Sequence, residues 1–127
     1  MSDLIRIHGF RVSTWTRTVE MTCIEKGAVY ELVPIQHGSD AHRELHPFMR
    51  MPATDVDGMT LFESLAITGY LDERDPIAPL PPTDLSERIR MRIWISVCAD
   101  YLYRDVVRTI PAGGRQHQKS SQPHEPL

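Results

Sequence analysis

Glu63 and Ser64 sit inside an apolar run, Leu61-Phe62-Glu63-Ser64-Leu65-Ala66-Ile67, and as a pair they can hold both ends of an amino acid. At a helix start, Ser64 offers a hydroxyl beside N–H groups that have no partner within the helix. Those groups take a carboxylate, and Glu63 takes an ammonium. Met51-Pro52-Ala53 comes shortly before. Proline cannot donate to a sheet ladder, so Pro52 belongs at a strand's first residue, an edge or a turn. The order proline, strand, strand, Glu-Ser suits a receptor for a small zwitterionic peptide. Each residue also has an ordinary reading. Glu in a first helical turn is favoured by the dipole, and Ser starts many helices.

The elements that must position these residues can be read in order. Leu4 to Phe10 is short and apolar-rich, and suits a strand. Ser13 to Lys26 predicts a helix, with Trp15, Val19, Thr22 and Cys23 on one face and Gly27 as its stop. Val29 to Ile35 predicts a second strand. Gln36 to Met49 predicts a loop with one short helix. Ala53 to Val56 and Met59 to Phe62 predict two strands, and Asp57-Gly58 between them is a hairpin signal. Glu63 to Asp72 predicts a helix. The order β-α-β, then β-β-α, implies a right-handed parallel unit followed by an antiparallel hairpin. The fold class is α/β: a mixed four-stranded sheet flanked by helices, the thioredoxin-like layout.

A proline-rich linker, residues 76–84, follows this first domain, residues 1–75. Thr83 or Asp84 then caps a long helix over residues 85–110. Ile89, Ile93, Val97 and Tyr101 make one apolar stripe; Met91, Trp94, Ile95, Cys98 and Leu102 make another. A helix apolar on two sides expects partners on both. Residues 111–127 are polar and rich in Gln, Ser and Pro, and are expected to be disordered.

Composition excludes several classes. The 127 residues are 41% hydrophobic and 24% charged, ordinary for a globular protein. The net charge of −3 and the lack of a basic cluster argue against nucleic acid as a partner. No apolar run is long enough to span a membrane. The start, Met1-Ser2-Asp3-Leu4, lacks the pattern of a signal peptide. A cytoplasmic protein is therefore expected, with Cys23 and Cys98 reduced and either packed in a core or, for Cys98, at a subunit contact.

Leu4 to about Val107 resembles a glutathione S-transferase. The resemblance rests on Ser13-Thr14-Trp15-Thr16-Arg17, Glu25-Lys26-Gly27, His46-Pro47-Phe48, Met51-Pro52-Ala53 and Leu61-Phe62-Glu63-Ser64-Leu65-Ala66-Ile67-Thr68. It is most similar to the serine-using classes, such as phi and theta and their bacterial relatives. The resemblance implies glutathione as substrate, a small electrophile as second substrate, a homodimer and no metal. It implies that Pro52 is a cis-proline and that the Met51 backbone pairs with the cysteinyl backbone of glutathione. Glu63 and Ser64 then hold its γ-glutamyl end. Arg50 contacts its glycyl or cysteinyl part, and His42 and Arg43 meet its glycyl carboxylate.

Ser13 is the implied activator of the glutathione thiol. A free thiol is only a few per cent thiolate at neutral pH. A helix start favours the anion, and a hydroxyl there can donate a charge-assisted hydrogen bond to it. From its residue type alone, Ser13 is first read as a plain N-cap. Thr14 is a rival donor. Arg17 either braces the site or is a surface Arg. His42 and His46 stand at i, i+4, which also invites a metal, but no third ligand is evident. His8 is expected to be a packed or edge histidine.

The family continues past the linker into an all-helical domain that forms most of the electrophile pocket. Here one helix precedes the polar tail, so the helical domain is expected to be truncated. Two functions follow: a transferase in which Ser13 activates glutathione, or a non-catalytic glutathione-binding or interaction domain. A thiol-disulfide oxidoreductase is disfavoured, since no Cys opens the first helix.

Overall fold

The computed structural model describes residues 4–110, so the tail expected to be disordered lies outside the described residues. Its elements are β1 (Ile5–His8), α1 (Thr14–Glu25), β2 (Tyr30–Val33), α2 (Asp40–Leu45), β3 (Ala53–Val56), β4 (Met59–Phe62), α3 (Ser64–Arg74) and α4 (Leu85–Val97). A π-helical segment, Cys98–Val107, continues from α4. The chain forms two compact units, one ending at Leu80 and the other beginning at Pro81.

The first unit holds one mixed sheet in the order β2-β1-β3-β4. β1 is parallel to β2 and antiparallel to β3, and β3 is antiparallel to β4. This is the thioredoxin-like layout. Alternation along the strands sorts the two faces. Ile5 and Ile7 of β1 and Val56 of β3 meet Val19 and Cys23 of α1 and Ile67 and Leu71 of α3 in the core. Each such large side chain contributes about 1.5–3 kcal/mol on burial. The opposite face is mixed, with Ala53 and Phe62 beside polar residues. Arg6 pairs with Glu31 at 2.7 Å, and His8 meets Asp55 at 2.8 Å. His8 is thus tied into the sheet.

Turn chemistry sets the element ends. Gly27, at φ 62°, closes α1: its N–H bonds Ile24 O and the Ala28 N–H bonds Cys23 O, a Schellman ending. Asp57 and Gly58, at φ 50° and 75°, make the two-residue hairpin turn.

The buried stripe of α1 is Thr16, Val19, Glu20, Thr22 and Cys23. Thr16 takes the place expected for Trp15, because Thr16 packs on Gly9. A Cβ at Gly9 would lie 2.6 Å from Thr16 Oγ1, so only glycine permits this approach. Cys23 is buried, and burial, then Glu20, push its thiol up to about 11. Cys98 is exposed rather than packed in a core.

In the second unit, Asp84 caps α4 by accepting from Glu87 N at 3.0 Å. The single long α-helix expected there changes character at Cys98, where wider i→i−5 turns begin; Arg108 N bonds Tyr103 O at 3.1 Å. Aromatic and β-branched residues crowd the preceding turn of an α-helix. Tyr101, Tyr103, Val106 and Val107 fall in this segment, but α4 carries as many such residues in regular α-turns, so crowding does not explain the change. Neither helix of this unit has a buried side chain. Among the described residues, no helix is long and apolar enough to cross a membrane.

Candidate functional site

Strand register brings the predicted residues to one end of the sheet. His8 pairs with Val33 on one side and Ala53 on the other, and Ala53 pairs with Phe62. The ends of β1, β2 and β4 and the start of β3 therefore share an edge. Ser13 follows β1, Met51-Pro52 precedes β3, and Glu63-Ser64 follows β4.

Ser13 is the N-cap of α1. Its Oγ accepts from Thr16 N at 3.3 Å, and its own N–H bonds Phe10 O. A hydroxyl has two acceptor positions and one donor. Capping uses an acceptor position, so the O–H stays available to an anion at the helix start. Thr14 is the first helical residue, one position further in, and it is half-buried. Arg17 is exposed on the first turn.

The Met51–Pro52 bond is cis, and Pro52 is fully buried. Pairing of β3 begins at Ala53 on both sides, so Met51 lies just beyond the ladder. Glu63 is the N-cap of α3 at φ 69°, ψ 112°, a conformation that costs a non-glycine residue roughly 1–3 kcal/mol. Its side chain is 64% exposed. Ser64 is the first residue of α3, where backbone N–H groups have no partner in the helix.

The residues before β3 divide differently. Arg50 is exposed and adjoins Met51. Arg43 is exposed and pairs with Asp40 at 3.2 Å. His42 is fully buried. Its Nδ1 accepts from Gly38 N at 3.2 Å, and its Nε2 meets Arg50 O at 2.9 Å. Both ring nitrogens are thus occupied by backbone, and the ring ties α2 to the segment entering the site. His42 Nε2 is the donor in that bond, since Nδ1 accepts.

His46, which the sequence offers in the His46-Pro47-Phe48 motif and as a possible metal partner of His42, takes a different place. It is 1% exposed, and its Nδ1 accepts from Phe48 N at 3.2 Å. The ring packs against Phe62 with centroids 5.0 Å apart, and its Nε2 stands 3.7 Å from Glu63 Oε1. Burial holds its pKa below the ordinary histidine value; Glu63 opposes this, and His42 and Arg50 reinforce it. No spacing in the chain announces a contact between the end of α2 and the end of β4. Among the described residues, no three His, Cys, Asp or Glu side chains cluster as a metal site. A cavity of about 320 Å³ lies elsewhere, lined by Lys26, Gly27, Ala28, Leu71, Arg74 and Asp75 at the opposite end of α1 and α3.

Comparison with known proteins fits this geometry. The sequence model of the glutathione S-transferase N-terminal domain matches residues 7–82. Maleylacetoacetate isomerase of Rattus norvegicus is 34% identical over 94 residues, covering 68% of this chain and 44% of that protein. A tau-class glutathione S-transferase from mango, Mangifera indica, superposes with a TM-score of 0.73 at 24% identity, over 79% of this chain and 47% of that one. The theta-class glutathione S-transferase of Xanthomonas axonopodis pv. citri, solved with glutathione bound, gives 0.70 at 26% identity, over 82% and 52%. The chain spans about half the length of the curated relatives it matches.

Proposed function

The chain belongs to the glutathione S-transferase family through that family's N-terminal domain, and on that premise we propose that it binds glutathione and activates its thiol for transfer to a small electrophile. The observation that carries this reading is the gathering of Ser13, Met51-Pro52 and Glu63-Ser64 at one end of the sheet.

In this reading the start of α3 and the Ser64 hydroxyl take the γ-glutamyl carboxylate, and Glu63 takes the ammonium. The Met51 backbone pairs with the cysteinyl part as an added strand. Arg50 and Arg43 supply positive charge for the glycyl carboxylate, and His42 braces the segment that carries Arg50. The cysteinyl thiol then lies at the start of α1. The Ser13 hydroxyl donates to the thiolate, with Thr14 as the rival donor, and the thiol proton leaves to solvent. The sulfur lone pair forms the new bond to the electrophile, and the leaving group departs with its bonding pair. We further infer a homodimer, and a cytoplasmic protein whose cysteines stay reduced. The second reading is a glutathione-binding domain without turnover. What favours it is that, among the described residues, neither helix of the second unit has a buried side chain.

Isothermal titration with glutathione tests the binding, and turnover of an aromatic halide separates the two readings. Glu63→Gly is the informative variant. It relieves the positive φ, so thermal stability should hold or rise, while loss of the ammonium partner should cost roughly 1.5–3 kcal/mol of affinity. A folded Glu63→Gly chain with unchanged glutathione affinity would remove Glu63 from the site.

A further inference from the structure

We propose that His46 is a positioning residue for Glu63, holding its carboxylate toward the ammonium of the γ-glutamyl group. The proposal rests on the glutathione reading above. Three observations carry it. His46 is 1% exposed, between Phe48 and Phe62, so its ring has one fixed place. Its Nδ1 accepts the Phe48 N–H, so a neutral ring carries its proton on Nε2. That nitrogen stands 3.7 Å from Glu63 Oε1. The distance is just longer than a hydrogen bond. Glu63 is largely exposed, and a small rotation of its side chain closes the gap.

The protonation state decides what the contact does. A neutral imidazole donates to the carboxylate and leaves its full negative charge for an ammonium ligand. A protonated imidazole has no acceptor for the Phe48 N–H, and its positive charge competes with the ligand for Glu63. The charged and titratable groups facing the ring are Glu63 at the β4–α3 junction, His42 on α2 and Arg50 before β3. Glu63 favours protonation, while burial, His42 and Arg50 oppose it. The neutral, donating form is thus the one present at neutral pH.

The experiment compares glutathione with an analogue lacking the γ-glutamyl amino group, by calorimetry on the whole chain. The unmodified chain should prefer glutathione. His46→Phe keeps a ring in the pocket but removes the donor. It should weaken glutathione about tenfold and leave the deamino analogue unchanged. His46→Gln restores an N–H near Nε2 and should recover the preference. As pH falls through the lowered pKa of the ring, the unmodified chain should lose its preference, while His46→Gln keeps it. Equal weakening of both ligands in His46→Phe would mean a packing role and overturn the proposal. A pH-dependent preference that survives in His46→Gln would overturn it also. If the unmodified chain binds glutathione without preferring it over the analogue, the proposal fails while glutathione binding stands. Absence of any glutathione binding overturns the underlying reading, and this proposal with it.

Discussion

Ser13 shows how one oxygen can serve both fold and chemistry. Its acceptor side caps α1 through Thr16 N, and its donor side stays free for a thiolate. Removing the hydroxyl therefore has two separable effects. Ser13→Ala should cost about 1 kcal/mol of stability as a lost cap, read by denaturant unfolding. It should also raise the thiol pKa of bound glutathione while leaving affinity nearly intact, read as thiolate absorbance against pH. If the titration is unmoved in Ser13→Ala and shifts in Thr14→Ala, the donor is Thr14. Residue types were legible here, and burial was not. Ser13, Pro52, Glu63 and Ser64 announced themselves by type and order. Nothing local distinguishes His42, fully buried with both nitrogens engaged by backbone, from a surface histidine able to meet a carboxylate. His46 gained its place only when α2 met β4.

Elements were most legible where backbone geometry demands a residue type. Asp57-Gly58 and Gly27 fixed the hairpin and the end of α1, because those positions need positive φ. The inward face of α1 was less so: Trp15 is the larger apolar residue, yet the close approach of Gly9 selects Thr16. Gly9→Ala should thus cost about 1–3 kcal/mol by overpacking. Thr16→Ala in the same chain should recover part of that, since the clash is with its hydroxyl. Strict additivity of the two changes in unfolding experiments would show that they do not touch. Lys26 makes the opposite case, a charge used as a fastener. Its Nζ is nearly buried and bonds Asp72 at 2.9 Å and the carbonyls of Asp75 and Ala78. Burial pushes the Asp72 carboxyl up, but the Leu80 N–H and Lys26 more than offset this and hold it below its ordinary value. Its stabilising contribution is therefore present above the ordinary carboxylate range and lost as pH falls through the lowered folded value. Unfolding free energy should fall more steeply on acidification in the unmodified chain than in Asp72→Asn. Parallel slopes would mean that Asp72 has no folded-state shift.

At the scale of the whole molecule the two units have different physics. The first closes a core around Ile5, Ile7, Val19, Cys23, Ile67 and Leu71. The second buries no side chain on either of its helices, although the sequence wrote apolar stripes along them. Stripes were legible from periodicity, but what covers them is not a property of one segment. Trp94 is 65% exposed, and Ile89, Ile93, Tyr101 and Leu102 are also exposed. Together they form the kind of apolar surface that marks an association site. Each such side chain contributes about 1.5–3 kcal/mol when buried, against an association cost of roughly 4–15 kcal/mol. A few of them from each copy are enough to tip that balance. The purified chain should therefore self-associate at micromolar concentration, and sedimentation velocity is the direct measurement. Trp94→Glu places a charge in the stripe and should shift the distribution toward monomer without loss of the first unit's fold, which far-UV circular dichroism follows. A sharp monomer boundary at all concentrations for the unmodified chain would sink the idea, because apolar side chains this exposed could then have no second copy as their cover.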